Sequence, residues 1–402
     1  MSLWSAIAVL SLDSIAMSDG SSTQAEVVLD ALSSRADGAA VRALHGVRAA
    51  VVGGFVRDTL IGRVPREIDL VVEGDTAELA AALGGTLTNY EPFLAARVSR
   101  DGWSIDITQA RCEHYSQPGA LPTVEPASLE DDLARRDFTV NAIAVTLDGG
   151  DLLAAEGALE DLAAQRLRVL HDESFVDDPT RVMRLARYSL RLGFSVEPHT
   201  AALAHQARLD TLTGARIAAE LRLALLEPDP LAPLADLTKK LPITVDRPLV
   251  QAALALTPAD GSRELVVLAA VTRERAPNEW IGSLELTAHE RDVVLGARRA
   301  PEIAAAIAAA GSASALRERL RGVPVEVIAI AGALGPSAAA ARWLEQLRYV
   351  TLEIDGHDLI AAGIDAGPEL GERLERTLAR KLDGQLAPGR EAELASALGD
   401  SG

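Results

Sequence analysis

Residues 50–74 read AVVGGFVRDTLIGRVPREIDLVVEG, and this stretch decides the fold. An apolar run ends at Val52, two glycines follow, and a periodic segment, FVRDTLIG, begins. That order predicts a strand, a tight turn and a helix. IDLVVEG (68–74) predicts a second strand closed by Gly74. Gly53 and Gly54 have no Cβ, so their backbone N–H groups can approach a phosphate, whose charge a helix N-terminus favours. Arg57 can add a bidentate contact. Glu67 and Asp69 are spaced i, i+2 and so share one face of the second strand. That pair suits two Mg2+ ions about 4 Å apart, which activate an attacking hydroxyl and neutralise a leaving pyrophosphate. A Gly pair alone is an ordinary turn, and two acids alone are an ordinary charged edge; the ordered set carries the reading.

Working outward, AELAAALGG (77–85) predicts a helix with a glycine stop. FLAARVS and WSIDITQ alternate around Asp101-Gly102, which predicts a β-hairpin. It places Asp106 as a third carboxylate on the same edge. HYSQPGALPTVEP (114–126) holds three prolines and is expected to be a mobile loop. SLEDDLARRDFTVNAIAV then carries a helix into a short apolar segment. Within it, Arg136, Asp137 and Asn141 can bind a triphosphate and ribose hydroxyls, although alone they also suit a charged helix end. Further on, Asp177-Asp178-Pro179-Thr180-Arg181 leads to Arg184 and Arg187, which step by three along a helix. An Asp and an Arg side by side can read the Watson–Crick edge of a base. The plainer alternative is an N-cap at Asp178 and a solvated arginine face.

Beyond residue 158 the pattern is helical, punctuated by prolines. The expected organisation is a lead-in and helix over 1–47, a mixed α/β head over 48–157, a neck with the base-recognition helix over 158–230, and a helical body and tail over 231–402. Few aromatics (3%) and 48% hydrophobic residues favour helices joined through small side chains.

The net charge of −19 argues against a nucleic-acid partner, but binding needs only a local basic face. Arg135 and Arg136, and Arg181, Arg184, Arg187 and Arg191, provide such clusters. The single cysteine, Cys112, excludes a disulfide framework and a zinc site built from cysteines, which fits a reducing cytoplasm. The opening MSLWSAIAVLSLDSIAMSDGSS has a faint look of a secretion signal but lacks a basic start and is interrupted by Asp13. It reads instead as a ragged start with Met17 as a candidate initiator. No other stretch predicts a membrane span.

The three constellations, in this order, resemble the bacterial-type tRNA nucleotidyltransferase and poly(A) polymerase family. VVGGFVRDTLIGRVPREIDLVVEGD, IDITQARCEHYSQPGALP, SLEDDLARRDFTVNAIAV and DDPTRVMRLARYSLRLGFSVEPHT carry the resemblance. It is strong over residues 48–230 and moderate over 350–395. It implies an α+β fold: a polymerase-β-like nucleotidyltransferase head, then an all-helical neck, body and tail that bind tRNA. By the same resemblance, Gly53, Gly54 and Arg57 would hold the triphosphate, and Glu67 and Asp69 would hold the metals. Asp106 would complete the catalytic carboxylates. Arg136, Asp137 and Asn141 would meet phosphate and ribose. Asp178 and Arg181 would pair with the incoming C or A, supported by Arg184 and Arg187. The loop around 113–122 would help switch specificity from C to A. The implied cofactor is Mg2+, with Mn2+ an alternative. The implied substrates are CTP, ATP and the 3′ end and acceptor stem of tRNA. Oligomeric state is left open.

Two positions depart from the family pattern. Glu67 stands where the family usually has Asp, and Asp177 where it usually has Glu. The extra methylene of Glu67 moves its carboxylate by about 1.5 Å, beyond the ~0.5 Å tolerance of a tuned site. Lower activity, a Mn2+ preference or lost catalysis is therefore expected. The alternatives to CCA addition are A-only, CC-only or poly(A) synthesis, or a non-catalytic RNA-binding relative.

Overall fold

A computed structural model describes residues 20–399, except 45, 91, 92 and 101. The signal-like opening and Met17 lie outside the described residues. The chain divides into two compact units, one ending at Arg216 and the other beginning at Ile217.

The first unit opens with helices α1 (Gly20–Ser33) and α2 (Ala36–Arg42). Strand β1 (Ala49–Val52), helix α3 (Gly54–Leu60) and strand β2 (Asp69–Val72) follow, as the opening stretch predicts. Next come α4 (Thr76–Leu83), β3 (Thr86–Tyr90), β4 (Ala95–Arg100) and β5 (Trp103–Gln109). The predicted hairpin is β4–β5, with Arg100 opposite Trp103. Then come β6 (Arg111–His114), β7 (Thr123–Pro126), α5 (Leu129–Ala134), a 3-10 turn (Thr139–Asn141), β8 (Ile143–Thr146) and β9 (Leu152–Ala154).

Seven strands form one mixed sheet in the order β3-β4-β5-β2-β1-β8-β9. The β2–β5 pair is parallel and the other pairs are antiparallel. β1 lies inside the sheet between β2 and β8, and all four of its residues are buried. Alternate residues face opposite ways. Ala50, Val52, Val71 and Ala144 meet Leu129 and Leu133 of α5 on one side. α3 lies against β1 and β8, and α4 against β4 and β5. α5 starts with a reciprocal capping box between Ser128 and Asp131, which fixes its first turn beside the sheet.

The segment 114–126 differs from its expectation. Its ends pair as β6–β7, leaving 115–122 as the loop. The prolines concealed a short strand, because Pro126 sits at the strand end, where a missing N–H costs no central hydrogen bond.

Residues 158–230 contain α6 (Ala158–Ala163), β10 (Arg166–Leu167), α7 (Ser174–Asp177), α8 (Thr180–Leu192), β11 (Ser195–Val196), α9 (Pro198–Gln206) and α10 (Gly214–Leu225). Among them, the two-residue parallel pair β10–β11 ties the connections flanking α7 and α8. In the second unit, twelve further α-helices run among the described residues from Leu231–Leu237 to Arg390–Gly399. No described helix is long and apolar enough to cross a membrane.

Candidate active site

The carboxylates gather where β2 and β5 run side by side. Asp69 and Asp106 are parallel register partners, so their side chains leave the same face of the sheet. Glu67 lies exposed just ahead of β2. Burial pushes Asp69 up to about 6; Arg136 and Arg184 pull against this, while Asp106 and Glu67 add to it. Asp106 is already paired: Arg97, its cross-strand partner on β4, donates Nε to Oδ1 at 2.6 Å and Nη2 to Oδ2 at 2.7 Å. The edge therefore holds an acidic pair, Glu67 and Asp69, beside a third acid that Arg97 neutralises. A half-buried carboxylate, raised first by desolvation and further by its acidic neighbours, is what a divalent cation would relieve, so the donor set fits Mg2+ or Mn2+.

The glycine turn lies at the end of β1. Gly53 has φ +65° and ψ −123°, a conformation suited to glycine. A Cβ there would stand 2.8 Å from Nη1 of Arg136, so the bare glycine also lets that guanidinium lie over the turn. Arg136 donates Nη2 to Oδ2 of Asp132 at 2.9 Å, while Arg135 grips Oδ1 of the same carboxylate at 2.6 and 3.0 Å. Asp132 is fully buried. Burial alone would raise it, but Arg136 and Arg135 outweigh that and hold it below its ordinary value. The sequence reading missed Asp132. Its signal was the i+3 and i+4 spacing to the two arginines.

Behind the turn, the predicted nucleotide ligands are tied to one another. Arg57 is 1% exposed. It donates Nε to Asp58 at 2.8 Å and Nη1 to Oδ1 of Asn141. Asn141 donates Nδ2 to Oδ1 of Asp137 at 2.8 Å, and Arg184 donates Nε to Oδ2 at 2.8 Å. Burial would raise Asp137, but Arg184, the Asn141 bond and Arg181 hold it at about 2. Arg184 also reaches the Tyr188 hydroxyl at 3.2 Å. The guanidiniums of Arg57, Arg184, Arg187 and Arg191 lie 4.9–5.6 Å from the centre of the Tyr188 ring. Such cation–π contacts help hold like charges together. Arg57, Asp137 and Asn141 thus spend donors and acceptors on each other and act as a preorganised wall. Arg181 (5%) and Arg187 (7%) are buried, which removes the solvated-face reading of α8.

Asp178 receives three hydrogen bonds, all on Oδ1: from Thr180 N at 3.0 Å, Thr180 Oγ1 at 2.6 Å and Arg216 Nη2 at 2.7 Å. The Thr180 contacts form a local Asp–Thr turn ahead of α8; the helix N-cap is Pro179 and carries no side-chain cap, so the cap expected at Asp178 falls one residue early. The Arg181 guanidinium turns elsewhere, donating to Ser174 Oγ and to the Arg135 carbonyl, each at 2.7 Å. Arg216, on α10, also donates Nη1 to the carbonyls of Gly119 at 2.8 Å and Ala120 at 3.3 Å. One residue therefore joins Asp178 to the 115–122 loop, and sequence reasoning missed it. Glu113 anchors the loop's other end, accepting from the Tyr115 hydroxyl and from Arg135 at 2.7 Å each. Burial first, then Glu113, pushes the Tyr115 hydroxyl well above its ordinary value.

The head matches the family model described as the poly A polymerase head domain, over residues 49–168. The chain is 34% identical to an A-adding tRNA nucleotidyltransferase of Geobacter sulfurreducens, over 87% of this chain and 45% of the relative. It is 41% identical to a CC-adding tRNA nucleotidyltransferase of Deinococcus radiodurans, over 45% of this chain and 50% of the relative. The chain thus spans about half the length of these curated relatives. A solved CCA-adding enzyme in its apo form superimposes with a TM-score of 0.74 at 30% identity, covering 96% of this chain and 97% of that one.

Proposed function

The chain belongs to the tRNA nucleotidyltransferase family that includes the CCA-adding enzymes, and on that premise we propose that it adds CMP and AMP to the 3′ end of tRNA. The 3′ oxygen would bond to the α-phosphorus of CTP or ATP as the bond to the β-phosphate oxygen breaks. Pyrophosphate leaves, and the hydroxyl proton is lost. The observation that carries this reading is Asp69, half-buried in register beside Asp106 with Glu67 two residues before it, and within electrostatic reach of Arg136, which lies over the glycine turn.

Glu67 and Asp69 would hold divalent metal, which activates the 3′ hydroxyl and offsets charge on the departing pyrophosphate. Gly53, Gly54 and Arg136 would receive the triphosphate through backbone N–H groups and a guanidinium. Asp137, Asn141 and Arg57 would hold the wall against which the ribose sits. With three bonds on Oδ1, Oδ2 of Asp178 is suited to accept from a base. Cytosine and adenine both offer an exocyclic amino donor, where guanine and uracil place a carbonyl. Arg181, bound to Ser174 and to the Arg135 carbonyl, would support that site from behind.

A second, narrower reading is A addition alone, as named for the relative that aligns over 87% of this chain. Radiolabelled CTP and ATP are offered separately and together to tRNA lacking its 3′ CCA, and to tRNA ending in CC, with Mg2+ or Mn2+. Addition of C, C and A supports full CCA synthesis; addition to the CC-ending tRNA alone supports the A-adding reading. No incorporation by the natural protein, with rescue by Glu67→Asp, would leave a binding role instead.

A further inference from the structure

The outer face of the β6–β7 hairpin carries a second candidate metal site, separate from the carboxylate edge. Cys112 and His114 are spaced i, i+2 on β6 and so share a face, while Glu125 stands opposite Cys112 on β7. Glu113, between them, turns the other way to Tyr115 and Arg135. The Sγ of Cys112 lies 3.6 Å from Nε2 of His114. One ligand atom from each of Cys112, His114 and Glu125 lies within 4.8 Å of the other two.

These distances match a known coordination geometry. With Zn–S near 2.3 Å and Zn–N near 2.0 Å, tetrahedral angles put sulfur and nitrogen about 3.5 Å apart. The Cys112–His114 edge is already there, and a carboxylate oxygen of the exposed Glu125 lies within 4.8 Å of both ligand atoms. A thiolate and an imidazole select zinc-like ions over Mg2+ or Ca2+, which prefer oxygen donors. Three protein ligands on an exposed face leave a fourth position for water. A lone cysteine excludes a site made of cysteines, but not this mixed set.

We propose that Cys112, His114 and Glu125 bind a zinc-class divalent cation that bridges β6 and β7 at the base of the 115–122 loop. The bridge would fix the loop's near end, while Arg216 holds its tip. It shares no residue with the proposed catalytic metals.

The test is titration of the full chain with Co2+, followed by Zn2+ competition. Cys112 is the only cysteine, so a thiolate-to-cobalt charge-transfer band in the near ultraviolet reports this site alone. The expected result is a band saturating at one equivalent, absent in Cys112→Ser and bleached by Zn2+. Losing even a supporting partner of a ligand typically costs about 10–100-fold in affinity. His114→Ala and Glu125→Gln should therefore weaken Co2+ binding by at least about tenfold. No thiolate band in the natural protein, or a band of unchanged affinity in both of those variants, would overturn the proposal.

Discussion

Replacing Gly53 and Gly54 by alanine, one at a time, should separate backbone geometry from ligand approach. Gly53 sits at φ +65° and ψ −123°, where a side chain costs about 1–3 kcal/mol of strain. Its Cβ would also come within 2.8 Å of the Arg136 guanidinium, which must leave the turn and loosen its charged bond to Asp132. That bond is worth about 1 kcal/mol or more, so Gly53→Ala should destabilise the first unit by about 3 kcal/mol. For a unit of roughly 200 residues this lowers the melting temperature by roughly 6–12 °C. Gly54 lies inside α3, and its Cβ would meet Arg57 Nη2 at 3.6 Å, an ordinary contact. Gly54→Ala should therefore melt within about 1 kcal/mol of the natural protein. If phosphate approaches the bare backbone at this turn, Gly54→Ala should still weaken CTP binding by about tenfold, ~1.4 kcal/mol. Thermal unfolding by circular dichroism and equilibrium dialysis with labelled CTP measure the two effects. A Gly53→Ala protein that melts with the natural one would refute the turn geometry. Undiminished CTP affinity in Gly54→Ala would remove the turn from the phosphate site.

Asp69→Ala should lower nucleotide transfer by at least about 10³-fold while tRNA affinity in a filter-binding assay stays within a few-fold; full activity would end the carboxylate assignment. Arg216→Met should change the ratio of kcat/KM for ATP over CTP by about tenfold, as expected for one lost charge-assisted hydrogen bond. An unchanged ratio would show that the Arg216–Asp178 bond does not set the choice of base. Asp137, held at about 2 against an ordinary 3.8, contributes about 2 kcal/mol that is fully present above about pH 4 and fades as pH falls toward 2. The stability gap between the natural protein and Asp137→Asn, read from urea titrations, should therefore narrow by about 1 kcal/mol between about pH 7 and pH 3. A gap independent of pH would mean that shape, and not charge, holds the wall.

Much of the head was legible because its signals are local. The apolar run, glycine pair and periodic segment at 50–61 gave β1, the turn and α3. The alternation around residues 95–109 gave the β4–β5 hairpin, while the alignment of Asp106 beside Asp69 comes from the parallel β2–β5 pairing. What lay beyond reach was pairing across the chain. A step of three places Arg181, Arg184 and Arg187 on one stripe of α8, but periodicity does not say what covers that stripe. The answer is Ser174, Asp137, Tyr188 and a backbone carbonyl, so Arg181 and Arg187 are buried and Arg184 is half-buried. Arg97 on Asp106 was equally hidden, because cross-strand register follows from the folded hairpin. Arg216 lies 97 residues from Gly119, and no short-range pattern links them. The short strand β7 was masked by its own prolines.

The hold of Arg216 on the 115–122 loop falls on main-chain oxygens alone. A clasp that recognises only backbone is blind to the side chains displayed around it. Gly119 and Tyr115 are the exceptions: the φ of +73° and the 2.7 Å from a Cβ to Thr211 Oγ1 keep the first a glycine, and the second holds Glu113 through its hydroxyl. Other loop positions can therefore drift in sequence while the loop stays seated against Asp178. A lineage could retune which nucleotide it accepts by altering the loop's side chains without rebuilding the mooring.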